Sequence, residues 1–140
     1  MDMALVCKVS LKDIFHTLDD ERSLCLFNSI ARAKDNDFVP SMIEINLTKK
    51  QFYHRLSELT RANLIKRKKG KYYLTILGKI VYHHKDAIEK SLVYLWIFKA
   101  IDSMQLFGED SEEIRHKTIN ILIDDQEIKK VITANSSNPF

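Results

Sequence analysis

The amino-acid sequence predicts a mainly α-helical protein with one small, two-stranded β-wing. Two patterns support this prediction. Apolar residues recur every three or four positions through most of the chain, which is typical of amphipathic helices. Residues 64–74 instead alternate around Lys69-Gly70, which is typical of a β-hairpin. With 140 residues, of which 45% are apolar and 29% charged, the chain is long enough for a single core plus an extension.

Two helices are predicted near the start of the chain. Residues 10–16 form a short helix with an apolar side made by Leu11, Ile14 and Phe15. The acids at 19–21 suit the N-terminus of a second helix. This helix ends near Lys34, and its buried stripe comprises Leu24, Phe27, Ile30 and Ala31. A turn at 35–37 and a short helix from Pro40 to Asn46 come next, with a strand over 41–46 as the alternative.

The best-defined element is a helix that begins at Thr48. Thr48 and Gln51 have the spacing of a capping box, in which each side chain bonds the other residue's backbone amide. Phe52, Leu56 and Leu59 recur at helical spacing and give this helix a buried face. Asn63 tolerates the left-handed backbone conformation that closes a helix, so we expect the helix to end there.

Two short strands follow this helix. They are joined at Lys69-Gly70, with Tyr72 and Leu74 on one face and Tyr73 on the other. Thr75 is suited to cap the next, longer helix. The order is therefore helix, two-stranded ribbon, helix.

A long helix is predicted from Thr75 to Met104, and if unbroken it would extend about 45 Å. Residues 92–98 are apolar on every side, so a helix there must be buried all round. We expect a second copy of the chain to cover them, because a monomer of this size has too little mass to bury both faces. Folding back of the C-terminal segment is the alternative. The predicted dimer interface comprises Ile88, Leu92, Leu95, Trp96 and Phe98.

Further helices are predicted after Gly108, which ends the long helix. Residues 111–123 form an amphipathic helix, whose apolar side comprises Ile114, Thr118, Ile119, Leu122 and Ile123. Asp124, with Glu127 three positions later, is predicted to cap a last short helix through Ile128, Val131 and Ile132. Residues 134–140 are predicted to be a flexible tail.

Positive charge is concentrated between Leu47 and Thr75. This stretch has nine Lys or Arg and one acid, Glu58, a net charge of +8, whereas the whole chain has +3. The helix that begins at Thr48 presents hydrogen-bond donors on the side opposite its apolar face, and the hairpin adds cations around its turn. Such a focused basic surface predicts binding to double-stranded nucleic acid. The candidate DNA-binding residues are Thr48, Lys49, Lys50, Gln51, Tyr53, His54, Arg55, Ser57, Arg61, Lys66, Arg67, Lys68, Lys69 and Lys71.

These candidates have different expected roles. Lys50, Tyr53 and His54 are predicted to reach base edges in the major groove. Lys49, Arg55, Arg61 and the hairpin cations are predicted to bind phosphates and fix the register. The backbone amides at the start of the helix add an anion-binding site.

A set of motif residues within roughly 20–80 resembles a known family of DNA-binding proteins. The set comprises Leu47-Thr48, Phe52, Leu56, Leu59, Asn63-Leu64-Ile65 and Tyr72-x-Leu74-Thr75-x-x-Gly78. It is similar to the recognition helix and wing of ArsR-like and MarR-like transcriptional regulators, and in particular to small, uncharacterised archaeal winged-helix proteins. Asn63 stands where those proteins usually have Gly, and the paired-Cys motif of their metal-sensing members is missing.

Pattern and resemblance together predict three regions. Residues 10–80 form a winged helix-turn-helix DNA-binding domain, 81–133 a helical dimerisation extension with a long helix and C-terminal helices, and 134–140 the tail. The expected function is a sequence-specific, double-stranded DNA-binding transcriptional regulator that acts as a homodimer. Two alternatives stay open: a non-specific DNA-coating architectural protein, and a winged-helix protein-interaction module of the transcription machinery.

The sequence contains none of the common catalytic or cofactor-binding motifs. Three widely separated glycines allow no phosphate loop, and the chain has no HExxH, GxSxG or clustered Cys/His set. The sequence therefore predicts no catalytic residues, no cofactor and no metal site, and it identifies no small-molecule effector. His83 and His84 point about 100° apart on a helix and cannot chelate one ion as a pair; we expect His84 at the dimer interface and His83 in solvent.

Localisation is predicted from the absence of targeting features. The first ten residues lack a basic segment before an apolar run, and no apolar stretch approaches the roughly 20 residues of a membrane span. We therefore expect a cytoplasmic protein without membrane contact. Cys7 and Cys25 form no CxxC motif and are expected to be buried, reduced thiols.

Overall fold

The computed structural model describes residues 9–33, 46–104 and 111–134. Within these residues the protein is mainly helical with one small antiparallel sheet, as predicted. The chain divides into two compact units, residues 1–83 and 84–140. The elements are α1 Leu11–Leu18, α2 Glu21–Arg32, α3 Lys49–Arg61, β1 Ile65–Lys68, β2 Lys71–Leu74, α4 Ile76–Leu92, α5 Leu95–Met104, α6 Ser111–Leu122 and α7 Gln126–Ala134. The expectations for Cys7, residues 35–37 and 40–45, Gly108 and the tail from residue 135 fall outside the described residues.

Both predicted helices before residue 33 are confirmed. Ser10 and Asp13 form a reciprocal capping box at the start of α1, with the Asp13 amide 3.1 Å from the Ser10 hydroxyl. Hydrogen bonds from the Ser10 backbone and hydroxyl lower the pKa of Asp13 below its ordinary value. This cap therefore stabilises α1 above the ordinary pKa of an aspartate, and the contribution is lost as the pH falls through the lowered value.

The buried stripe of α2 differs by a few residues from the prediction. Phe27 and Ile30 are buried as expected, but Leu26 is also fully buried, whereas Leu24 and Ala31 are half-buried. The expectation for Cys25 was wrong, because its thiol lies on the exposed side of the helix. On α1 only Ile14 of the predicted apolar side is buried, while Leu11 and Phe15 are exposed.

Helix α3 begins and ends as the sequence predicts. The Thr48 hydroxyl accepts from the Gln51 amide at 3.2 Å, and the Gln51 side chain accepts from the Thr48 amide at 3.1 Å. At the other end Asn63 has φ +64°, its amide bonds the Thr60 carbonyl, and the Leu64 amide bonds the Leu59 carbonyl. This pair of bonds is a Schellman motif, in which a left-handed residue closes the helix.

The β1–β2 hairpin turns at Lys69 and Gly70, which have φ values of +54° and +79°. Two consecutive positive φ values are the pattern of a type I′ turn, whose twist matches that of the paired strands. After β2, the Thr75 amide donates to the Leu64 carbonyl at 3.1 Å. The Thr75 hydroxyl donates to the Asn63 carbonyl and accepts from the Gly78 amide, so it caps α4 as predicted and ties it to the end of α3.

The first unit has one core. It joins α1, α2, α3 and the hairpin through buried residues, which are Ile14, Leu26, Phe27, Ile30, Leu47, Phe52, Leu56, Leu59, Ala62, Leu64 and Ile65. Tyr72, Leu74, Leu77, Val81 and Tyr82 pack against its edge. This core fixes α3 and the hairpin side by side.

The prediction of a single long helix from Thr75 to Met104 was wrong. Helix α4 ends at Leu92, and α5 begins at Leu95. Between them the Val93 and Tyr94 amides bond carbonyls three residues earlier, at 3.3 and 3.0 Å, which forms a tight turn. Valine and tyrosine are weak helix formers. The break lets α5 pack independently of the direction of α4.

The second unit has its own small core, made by Ile97 and Ile101 of α5, Ile119 of α6, Ile128 of α7 and Ile123, which directly follows α6. The predicted cap of the last helix is displaced by one residue. Asp125, not Asp124, accepts from the Glu127 and Ile128 amides, at 3.0 and 3.2 Å. The Asp-to-Glu spacing therefore misidentified the cap, because Asp125 lies immediately before α7.

Candidate nucleic-acid interface

The outward side of α3 presents most of the predicted contact residues. Lys50, His54, Ser57 and Arg61 are exposed, opposite Phe52, Leu56 and Leu59 in the core, and Lys49 at the first position of the helix is exposed as well. Tyr53 is 52% exposed, and its ring packs edge-on against Phe52 with 5.5 Å between centroids. This contact orients the Tyr53 ring on the surface. Arg61 also pairs with Glu58 at 3.2 Å, which offsets part of its charge.

Three of the residues predicted to contact DNA, Thr48, Gln51 and Arg55, form hydrogen bonds or ion pairs within the protein. Thr48 and Gln51 satisfy each other's amides in the capping box. Arg55 departs from its predicted role as a phosphate contact. It pairs with Asp20, its guanidinium also donates to the Ser23 hydroxyl at 3.1 Å, and its side chain is only 22% exposed. Arg55 therefore fastens α3 to the N-terminus of α2 instead of facing solvent.

The start of α3 has an unfavourable charge arrangement for a helix on its own. Lys49 and Lys50 are its first two residues, and the first turn contains no acid. Because the N-terminus of a helix has a partial positive charge, each cation there costs roughly 0.3 to 1 kcal/mol. No ion pair joins either lysine to a carboxylate among the residues described. A bound anion would remove this repulsion.

The hairpin register divides its cations between two faces. Arg67 pairs with Tyr72, and Ile65 with Leu74, so these four residues share the face that contains the core residue Ile65. Lys66 pairs with Tyr73, and Lys68 with Lys71, on the opposite face. The predicted cations of the wing therefore do not form a single surface with α3.

A groove of about 420 Å³ lies between α3 and the hairpin face that contains Ile65, Arg67, Tyr72 and Leu74. Across it, Tyr53, Ser57 and Arg61 of α3 face Arg67 and Tyr72 of the hairpin. The Arg67 guanidinium lies over the Tyr72 ring, 5.9 Å from its centroid. Thr60 and Tyr72 line this groove but were missing from the predicted site. For Tyr72, the signal was available, because a turn at Lys69-Gly70 places it directly opposite Arg67.

The predicted dimer residues lie on or beside the second unit's exposed apolar surface. Ile88, Leu92 and Trp96 are 62%, 61% and 65% exposed, and Leu95 is also exposed. Phe98 instead packs against the core of this unit, so it departs from the predicted interface. Val93 is exposed as well and was not predicted to contribute. His83 and His84 are both exposed.

The part of the chain that the structure describes has neither a metal-binding cluster nor a membrane-spanning helix. Across residues 9–33, 46–104 and 111–134, no three His, Cys, Asp or Glu side chains are grouped to hold a metal ion. No helix in these ranges is long and apolar enough to cross a membrane. Comparisons with protein-family models, with curated proteins and with solved structures found no match to this chain.

Proposed function

We propose that this chain is a sequence-specific, double-stranded DNA-binding transcriptional regulator that acts as a homodimer. In this proposal residues 10–80 form a winged helix-turn-helix, with α3 as its recognition helix and the hairpin as its wing. The main support is that α3 and the hairpin place cations and donors on both sides of one groove. Two elements that each place a cation on one groove, Arg61 from α3 and Arg67 from the hairpin, are unlike scattered solvated charge.

Each contact residue has a role in this proposal. Helix α3 lies in the major groove, where Lys50, Tyr53 and His54 meet base edges. Lys49 and Arg61 bind phosphates, and the amides of the first turn add a further anion contact. Arg67 extends the phosphate contacts across the groove. Arg55 is left out of this set, because its pairing with Asp20 holds α2 and α3 together.

A homodimer accounts for the apolar surface of the second unit. Leu92, Val93 and Trp96 expose more than half of their surface, and they lie within five consecutive positions. Exposed apolar side chains so close together mark an interaction surface. A second copy is the favoured occupant, because two copies would present two α3 helices to half-sites about one duplex turn apart.

The test is binding to mixed genomic duplex fragments over a salt series, with retained fragments sequenced at the highest salt that still holds any. A steep fall of affinity with salt, together with one recurring, roughly palindromic site, is the expected result. A steep fall without an enriched site would favour the DNA-coating alternative. No binding at low salt would overturn the proposal and favour a protein-interaction module.

Replacing both Lys50 and His54 by alanine is expected to relax sequence preference. A good base contact contributes roughly 1 to 3 kcal/mol of discrimination, and both side chains are exposed on the side of α3 opposite its buried residues. The measurement is the affinity for the selected site relative to a scrambled duplex. Lys12→Ala is the matched control, since Lys12 is an exposed helix lysine on α1. An unchanged ratio would remove Lys50 and His54 from the base-reading set.

Replacing Leu92 and Trp96 by glutamate is expected to give folded monomers. Both side chains are more than half exposed in one chain, so their replacement leaves the core residues in place, while two carboxylates in an apolar interface prevent association. Light scattering gives the mass, and circular dichroism checks the fold. Ile121→Glu is the matched control, since Ile121 is 74% exposed on α6, outside the proposed interface. A monomeric wild-type protein would contradict the homodimer.

A further inference from the structure

The second face of the hairpin has a basic surface that α3 does not share. Lys66, Lys68 and Lys71 lie on this face together with Tyr73, and all three lysines are exposed. We call these four residues the outer face. Arg67 and Tyr72, which border the α3 groove, point to the opposite side of the ribbon. A duplex seated against α3 therefore meets Arg67 directly, and the outer face is turned away from it.

The outer face continues into a cleft of about 390 Å³ beside β2. Lys66 and Tyr73 of the outer face line it together with Tyr72, which also borders the α3 groove, and Lys79 and Tyr82 line it from α4. Ile30 and Leu74 form part of its apolar floor. Among the described lining residues there is no acid, so two ammonium groups and three phenols surround the opening without a carboxylate.

This chemistry suits the backbone of a nucleic acid. Ammonium groups bind phosphate oxygens as point charges, and phenol hydroxyls donate to phosphates or sugars. Lys66 belongs both to the outer face and to the cleft, so Lys66, Lys68, Lys71 and Lys79 form one basic surface on the first unit. A repeated polyanion matches a row of cations better than a single small anion does.

We propose that the outer face and its cleft bind the phosphate backbone of a second nucleic-acid segment, so that each chain joins two duplexes or two distant parts of one. This inference rests on the proposed function, because the first segment is the one bound by α3. It adds a bridging activity to a single-site regulator. Lys69 lies in the turn between the two faces and is assigned to neither.

The test compares the wild type with K66Q/K68Q/K71Q in two assays. One measures affinity for a single short fluorescent duplex over a salt series. The other measures how much free labelled duplex is retained by protein already bound to duplex on beads. The matched control is K12Q/K99Q/K130Q, which removes the same charge from exposed positions on α1, α5 and α7. We expect the outer-face variant to retain less than about a tenth of the labelled duplex that the wild type retains. Its affinity for a single duplex is expected to stay within about twofold of the affinity of the control variant.

Each other result has a distinct meaning. If the three lysines touch the same duplex as α3, the slope of log affinity against log salt falls by about 2.7 in the first assay, and the inference is wrong. If the outer-face variant retains as much labelled duplex as the wild type, the inference is wrong, and the two α3 helices of a dimer would account for the bridging. Absence of retention by the wild type would also overturn the inference, but would leave the proposed function intact. Failure to bind any duplex would overturn the proposed function itself. Retention of an acidic polypeptide in place of duplex would identify the outer face as a protein-binding surface.

Discussion

Replacing both Lys49 and Lys50 by glutamate is expected to make the protein more stable and unable to bind DNA. Both residues lie at the positive end of α3, whose first turn contains no acid. Reversing two charges there removes two unfavourable interactions with the helix dipole and adds two favourable ones, about 1 to 4 kcal/mol in total. The same change removes two contacts to a polyanion and adds repulsion, so we expect affinity to fall more than about 100-fold at low salt.

Thermal unfolding and fluorescence anisotropy on the same samples measure the two effects. Lys12→Glu is the control, because Lys12 is the second residue of α1, as Lys50 is of α3. The control is expected to gain part of the stability and to keep its DNA affinity. If the double variant instead binds duplex as the wild type does, the start of α3 is not the interface. If it is less stable, the lysines have a structural role that the dipole argument omits.

This combination of effects distinguishes a binding surface from a solvated one. Acidic residues in the first turn stabilise a helix, because they interact favourably with its positive end. Helix α2 has Glu21 in its first turn, and α6 has Glu112 and Glu113. Lysines at the first two positions of α3 are therefore a departure from the local preference. A bound polyanion would give this departure a function, since it supplies the negative charge that the helix end lacks.

The elements that could be predicted from the sequence are those determined by neighbours in the chain. Thr48 and Gln51 are three residues apart, so the capping box needs no tertiary information. Asn63 and Gly70 were predictable from their tolerance of positive φ, and both have it. Alternation along the hairpin gave the strand boundaries, and it also determined which cations share a face.

The features that were missed depend on contacts between distant residues. Arg55 follows Phe52 by three positions and precedes Leu59 by four, so it lies beside the buried stripe, but its pairing with Asp20 became evident only in the fold. The break after Leu92 has no Gly or Pro to mark it. Packing of Ile97 and Ile101 in one core with Ile119 of α6 favours a separate α5, and periodicity alone does not report such packing.

Replacing Gly78 by alanine is expected to destabilise the first unit by about 3 kcal/mol, the upper end of the usual cost of overpacking, because the added methyl group has no space. A Cβ atom at Gly78 would overlap the Leu64 carbonyl oxygen and lie 3.0 Å from the carbonyl carbon and 3.3 Å from the Thr75 hydroxyl. These are backbone and capping atoms, and the same Leu64 carbonyl accepts from the Thr75 amide at 3.1 Å. They cannot move away without breaking the junction between α3, the hairpin and α4.

The sign of this effect makes the prediction specific. In an exposed helix, alanine in place of glycine is expected to stabilise by about 1 kcal/mol, because it restricts the unfolded chain. Gly70→Ala is the matched control: Gly70 has φ +79° but open space around it, so only backbone strain of about 1 kcal/mol is expected there. Urea unfolding of both variants measures the difference. A Gly78→Ala protein as stable as the wild type would show that α4 does not begin against Leu64, and the position of the hairpin relative to α3 would then lose its main support.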